Sequence, residues 1–163
     1  VKEEHLAQIN RVKRSLALVQ QGSWMVEDLA AKRGAPHVLV VRLRPDIQLL
    51  APFPLDEARG LVAQKRNLVV VPTTYDPRGG LNIKAAQLTT RPCARNASLT
   101  PTWVQDHLAV GSAAAMRLYA NFYHAYLKKD FFSGHVEKSL AKYLASHALA
   151  VSCFDNIKYT VLR

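Results

Sequence analysis

At 163 residues with 49% apolar side chains, the chain is long enough to bury one sizeable core and too apolar to stay unfolded. Its 22 Lys and Arg outnumber 12 Asp and Glu, and the resulting net charge of +10 favours phosphate backbones or acidic protein faces as partners. Two cysteines sixty residues apart are too few for a disulfide framework and too scattered for a zinc cluster. No apolar run approaches the roughly 20 residues that cross a bilayer, so no membrane segment is expected, and the charged start gives no sign of a secretory signal.

Along residues 2–20, Leu6, Ile9, Leu16 and Val19 recur on one helical face. Gly22 and Ser23 are expected to stop that helix, and residues 24–32 to form a shorter second one that Gly34 ends. Residues 38–43 are short and β-branched, with Pro45-Asp46 as a turn signal and residues 47–50 as a returning hairpin partner. Residues 55–63 suit one or two helical turns. Residues 67–71 read as another strand, and Asp76-Pro77-Arg78-Gly79-Gly80 as the turn to a half-exposed strand over residues 81–88. After a basic linker, Thr100-Pro101 is a cap and first-turn pair. From there Val104, Leu108, Gly111, Ala115, Leu118 and Phe122 keep steps of three and four, predicting one long helix with the small run Gly111-Ser112-Ala113-Ala114-Ala115 at its centre. A turn at residues 128–134 leads to a last helix through Val136, Leu140, Tyr143, Leu144 and Ala148, and residues 156–162 alternate as a final strand.

This order predicts an α+β fold: a helical bundle, made of the N-terminal helices and a C-terminal helical hairpin, with a small antiparallel β module inserted. Residues 1–35 supply the N-terminal helices, 36–90 the β-rich module and 91–163 the hairpin and tail, all within one structural domain.

Catalytic chemistry finds little purchase. The six histidines include no pair three or four apart and no metalloprotease spacing, and His107 and His124 are expected at opposite ends of one helix. Cys93 follows Pro92 in a basic stretch that would lower a thiol pKa, yet no histidine is placed to serve it. Gly79-Gly80 lacks the lysine and serine of a phosphate loop, and the carboxylates form no acid–base pair. The expectation is a protein that is not an enzyme, with no catalytic residues, cofactor or metal.

Charge and aromatic residues carry more. The basic excess centres on residues 61–100, through Lys65, Arg66, Arg78, Lys84, Arg91 and Arg95, which form a candidate basic contact surface. Trp103, Tyr119, Phe122, Tyr126, Phe131 and Phe132 spread over more than one helical face, as expected of a chain with more than one neighbour, and are candidate subunit-interface residues.

The order of these features resembles the small head-to-tail connector (adaptor) proteins of tailed bacteriophages. The residues that carry the resemblance are the strand module over 38–43 and 49–52, the hairpin of 68–73 with 81–86, and the linker Thr90-Arg91-Pro92-Cys93-Ala94. They continue with Gly111-Ser112-Ala113-Ala114-Ala115-Met116-Arg117-Leu118, the turn Phe131-Phe132-Ser133 and Leu140-Ala141-Lys142-Tyr143, so that the match spans roughly residues 36–149. The chain departs from the pattern in lacking an acidic residue near Ala109 and in having Phe132 where tryptophan is usual. The resemblance implies a homo-oligomeric ring of about twelve copies beneath the portal protein, bearing tail or nozzle proteins and letting DNA pass through its lumen. The implied location is the virion head–tail junction, after assembly in the host cytoplasm. The alternative is a basic nucleic-acid-binding module, RNA- or ribosome-associated.

Overall fold

The computed structural model describes residues 2–72, 104, 106–128, 135–154, 157 and 159–161. In chain order these form α1 (Lys2–Arg33), β1 (Val40–Leu43), β2 (Ile47–Leu49), α2 (Leu55–Gln64), β3 (Leu68–Pro72) and β4 (Leu108–Gly111). They continue with α3 (Ala113–Leu127), α4 (Val136–Ser146), β5 (Ala150–Phe154) and β6 (Tyr159–Val161). The expected mixed α+β class is what the chain adopts.

The apolar run of β3 has no polar alternation because both its faces are covered. Val69 and Val71 point with Ala109 of β4 into a core shared with Leu16 of α1, Met116, Tyr119 and Phe122 of α3, and Leu140 and Leu144 of α4. Leu68 and Val70 point the other way, with Leu108 and Val110, onto Ala58 and Val62 of α2, flanked by Leu49 and Ile157. The result is three layers: α1, α3 and α4, then the sheet, then α2 with the β2 region.

The sheet runs β1-β4-β3-β5, with β2 and β6 forming a separate antiparallel ladder. It is mixed, not antiparallel as expected, because β5 lies parallel to β3 while β4 runs antiparallel to both β1 and β3. Nor is it an insertion confined to residues 36–90, since β4 and β5 come from the C-terminal third.

Four further expectations are corrected. The N-terminal helix does not break at Gly22; α1 is continuous, because Gly22 keeps helical backbone while Leu16 and Gln20 are buried beside it. Residues 47–49 do not return on β1; they pair with β6. The helix predicted from Thr100 through Phe122 begins only at Ala113, so His107 and His124 do not share it. Residues 108–111 are strand β4, and the side chain of Ser112 caps α3 by accepting from the Ala115 amide at 3.2 Å while donating to the Arg66 carbonyl at 2.7 Å. Strand β5 had no counterpart in the sequence reading. The predicted strand over 81–88, Thr100-Pro101 and residues 129–134 of the aromatic turn lie outside the described residues.

Close approach of backbones does occur at the small-residue run, but in the sheet. A Cβ on Gly111 would sit 2.9 Å from the Leu68 carbonyl oxygen and 3.3 Å from the Met116 side chain. Helices α1 and α4 end in one motif. After α1, Gly34 at φ 67° lets its amide reach Ala31 O and the Ala35 amide reach Ala30 O. After α4, Ala148 takes the same left-handed conformation at φ 53°, with its amide on Ala145 O and the Leu149 amide on Leu144 O. Burial of both Leu144 and Leu149 completes that turn.

Two substitutions test these positions by urea denaturation. Ala148→Gly relieves the left-handed strain and is expected to stabilise by about 0.5–1 kcal/mol after the entropy cost of glycine. Gly111→Ala forces a backbone shift and is expected to destabilise by about 1–3 kcal/mol.

Candidate functional site

A concave groove runs between α1, β1 and α3, with a volume of about 740 Å³. One wall is the α1 face bearing Leu18, Val19, Gly22, Val26, Glu27 and Ala30; the other is β1 with residues 44–45; Ala113, Ala114, Met116 and Arg117 of α3 close the floor. It is mostly apolar, as ligand and partner sites usually are. From Leu18 on that wall, Met25 and Leu29 continue in helical steps beyond the rim; the three stay 63%, 72% and 42% exposed, with Trp24 beside them at 56%. Exposed large apolar residues grouped on one element mark an interaction surface.

Polar groups are few and placed. Arg42 reaches from β1 to the Tyr119 hydroxyl at 3.4 Å, with its guanidinium carbon 5.8 Å from that ring's centroid. Burial pushes the Tyr119 hydroxyl pKa up, which keeps it a neutral hydrogen-bonding partner. Arg117 faces Glu27 across the groove at 3.8 Å. The buried Nε2 of His37 has no hydrogen-bond partner among the described residues. Behind the wall, the buried Gln20 amide lies 3.2 Å from Asn121 Oδ1. In the amide orientation that satisfies both its ends, it donates to Ala120 O and accepts from the Trp24 indole N–H.

A second polar cluster sits where β1 and β4 end. Arg44 donates to both carboxylate oxygens of Asp46, at 2.9 and 2.6 Å, and meets Asp106 at 3.4 Å. The Arg44 bond holds the Asp46 carboxyl below its usual pKa. His107 places Nδ1 3.1 Å from the Tyr159 hydroxyl, with the two rings edge to face. Burial pushes Tyr159 up to about 12 and holds His107 below its ordinary value of 6.5, against the pull of Asp106. A neutral imidazole pinned to a neutral phenol, with no nucleophile among the contacts, ties β6 to β4. It is built as a clasp between the two sheets. Sequence reading did not find it, because Arg44, His107 and Tyr159 converge only through the strand pairing.

The residues singled out from sequence divide sharply. Tyr119, Phe122 and Tyr126 are buried in the chain's own core, and this corrects their assignment to a subunit interface. The several faces they occupy are met by α1, α4 and the sheet of the same chain. Trp103, Phe131 and Phe132 lie outside the described residues. Lys65 and Arg66 are exposed in the turn before β3, whereas Arg78, Lys84, Arg91 and Arg95 lie outside the described residues. Cys93 does too, and Cys153 falls on β5. Among the described residues no three His, Cys, Asp or Glu side chains are grouped to hold a metal ion, and no helix is long and apolar enough to cross a membrane.

Comparison with models of known protein families and with curated protein sequences finds no match.

The clasp makes a signed pH prediction. Because folding lowers the His107 pKa, the unfolded chain binds more protons near pH 6, so stability falls as pH drops below about 6.5. His107→Asn retains a side-chain hydrogen-bonding group near Tyr159 without titrating. Urea melts at pH 7 and pH 6 are expected to show a smaller loss in that variant than in the parent.

Proposed function

We propose that the protein is a structural assembly subunit, without catalysis, that uses the groove between α1, β1 and α3 to hold protein partners. The observation that carries this reading is the groove itself. It is mostly apolar, it is unfilled by the side chains of the described residues, and it is continuous with the exposed stripe of Leu18, Met25 and Leu29. Exposed apolar surface continuous with a groove is what a subunit covered by neighbours carries.

The specific form of the reading is a head-to-tail adaptor of a tailed-phage virion, drawn from the sequence resemblance. Residues that carry it include β3, the start of α3 from Gly111 to Leu118 and the middle of α4. In that role about a dozen copies form a ring under the portal, carry tail or nozzle proteins and surround passing DNA. The layer of α1, α3 and α4 is then the helical bundle, with α3 and α4 as its hairpin. Assembly takes place in the host cytoplasm and the product resides at the head–tail junction. A second reading, a nucleic-acid-binding module, draws on the exposed Lys65 and Arg66 and the net charge of +10.

Sedimentation velocity and negative-stain microscopy of the chain, alone and mixed with the products of its neighbouring genes, separate the two. The adaptor reading expects a monomer alone and rings in the mixture. The nucleic-acid reading expects the chain alone to bind a DNA or RNA duplex with an affinity that falls steeply as salt rises. Absence of rings together with such binding overturns the first.

A further inference from the structure

The groove follows the edge of β1, not one face of the sheet. Successive residues of a strand point to opposite faces, yet every residue from 40 to 45 lines it. Among the described residues β1 is an end strand, paired only with β4. The Arg44 amide donates to the His107 carbonyl, so residues 44, 42 and 40 turn their backbone groups toward β4. By alternation, Val41 and Leu43 turn their N–H and C=O outward, and their side chains are 42% and 41% exposed. Natural edges are blunted by charge, proline or cover, and this one carries proline only beyond its end, at Pro45.

The dimensions suit one occupant. Residues 40–45 of an extended chain span about 20 Å. The α1 wall from Ser15 to Ala30 spans about 22 Å. Gly22, Ser23, Ala30, Ala113 and Ala114 keep the space between them open. An acyl chain or other unbranched apolar ligand would leave the outward amides of Val41 and Leu43 to water, whereas a strand would pair them.

Charge defines the strand. Arg42 projects on the α3 side of β1, bonded only to the neutral Tyr119 hydroxyl, and no described carboxylate pairs with it. Arg117, which faces Glu27 at 3.8 Å, and the Nε2 of His37, without a hydrogen-bond partner among the described residues, line the same groove. A net charge of +10 opposes a second copy of this chain and favours an acidic protein.

We propose that the free edge of β1 accepts an extended segment of about six residues from an acidic partner protein, as a fifth strand of the sheet, with a carboxylate facing Arg42 and apolar side chains facing Val41 and Leu43. The inference rests on the reading of the chain as an assembly subunit, and it names the chemistry of one partner.

The probe is a capped peptide of core sequence Leu-Val-Glu-Val-Leu-Val carrying a neutral dye, titrated with the full chain at physiological salt and followed by fluorescence anisotropy. Saturable binding is expected, with about a tenfold loss when glutamine replaces the glutamate, and Arg42→Gln is expected to erase that difference. N-methylation of the two valines flanking the glutamate removes the amides that would pair with β1, and is expected to abolish binding to the unaltered chain. Val41→Pro removes an outward N–H without touching the β1–β4 ladder, and is expected to do the same. Binding that survives both backbone changes, or no binding at all, overturns the proposal. A dimer of the chain that Val41→Pro dissolves assigns the edge to a second copy and also overturns it. Rings formed with neighbouring gene products while the peptide fails to bind would sink the strand docking and leave the assembly reading in place.

Discussion

The structure depends on the burial of β3 from both sides. Val69, Val70 and Val71 are wholly excluded from solvent; Val69 and Val71 anchor one core and Val70 the other. The helical layer of α1, α3 and α4 packs on one set, and α2 with the β2 region packs on the other. Neither layer would have an apolar floor without the strand, so loss of volume at any of these valines opens a cavity in the core it faces.

The same burial explains where the surface remains apolar. Helix α3 is enclosed by α1, α4 and the sheet, and it spends its aromatic rings inside the molecule. Helix α1 meets α3 through Leu16, Gln20 and the partly buried Val12 and Val19, leaving the stripe of Leu18, Met25 and Leu29 outside. The stickiness inferred from the aromatic residues therefore exists, but on α1 and β1. The surface is aliphatic with one indole, and its cations include Arg42, Arg44 and Arg117, set within the groove instead of in the basic stretch of residues 61–100.

Local signals were legible where one interaction set the outcome. Gly34 ends its helix, residues 68–72 are a strand, and α2 and α4 fall where their apolar spacing put them. Reading failed where two periods coincided. Val104, Leu108, Gly111 and Ala115 satisfy a helical step, yet residues 108–111 are a four-residue apolar run that the sheet claims, and Ser112, a better cap than Thr100, went unread. Gly22 shows the converse: its weak helix propensity is overridden by the burial of Leu16 and Gln20 just before it. The clasp of Arg44, Asp46, His107 and Tyr159 and the groove along β1 were invisible, because both are products of strand order, which no local pattern encodes.

The parallel pairing of β3 with β5 has a consequence for how the chain is made. Leu68 and Ala150 are partners although about eighty residues separate them. At ribosomal speed, β3 emerges about four to sixteen seconds before the strand that shields its second edge. Through that interval an uncharged Leu-Val-Val-Val-Pro segment stands with a bare ladder, the composition most prone to pairing with another nascent copy. Only its terminal proline discourages that meeting, so crowding of many ribosomes on one message is the circumstance in which this protein is most exposed to misassembly.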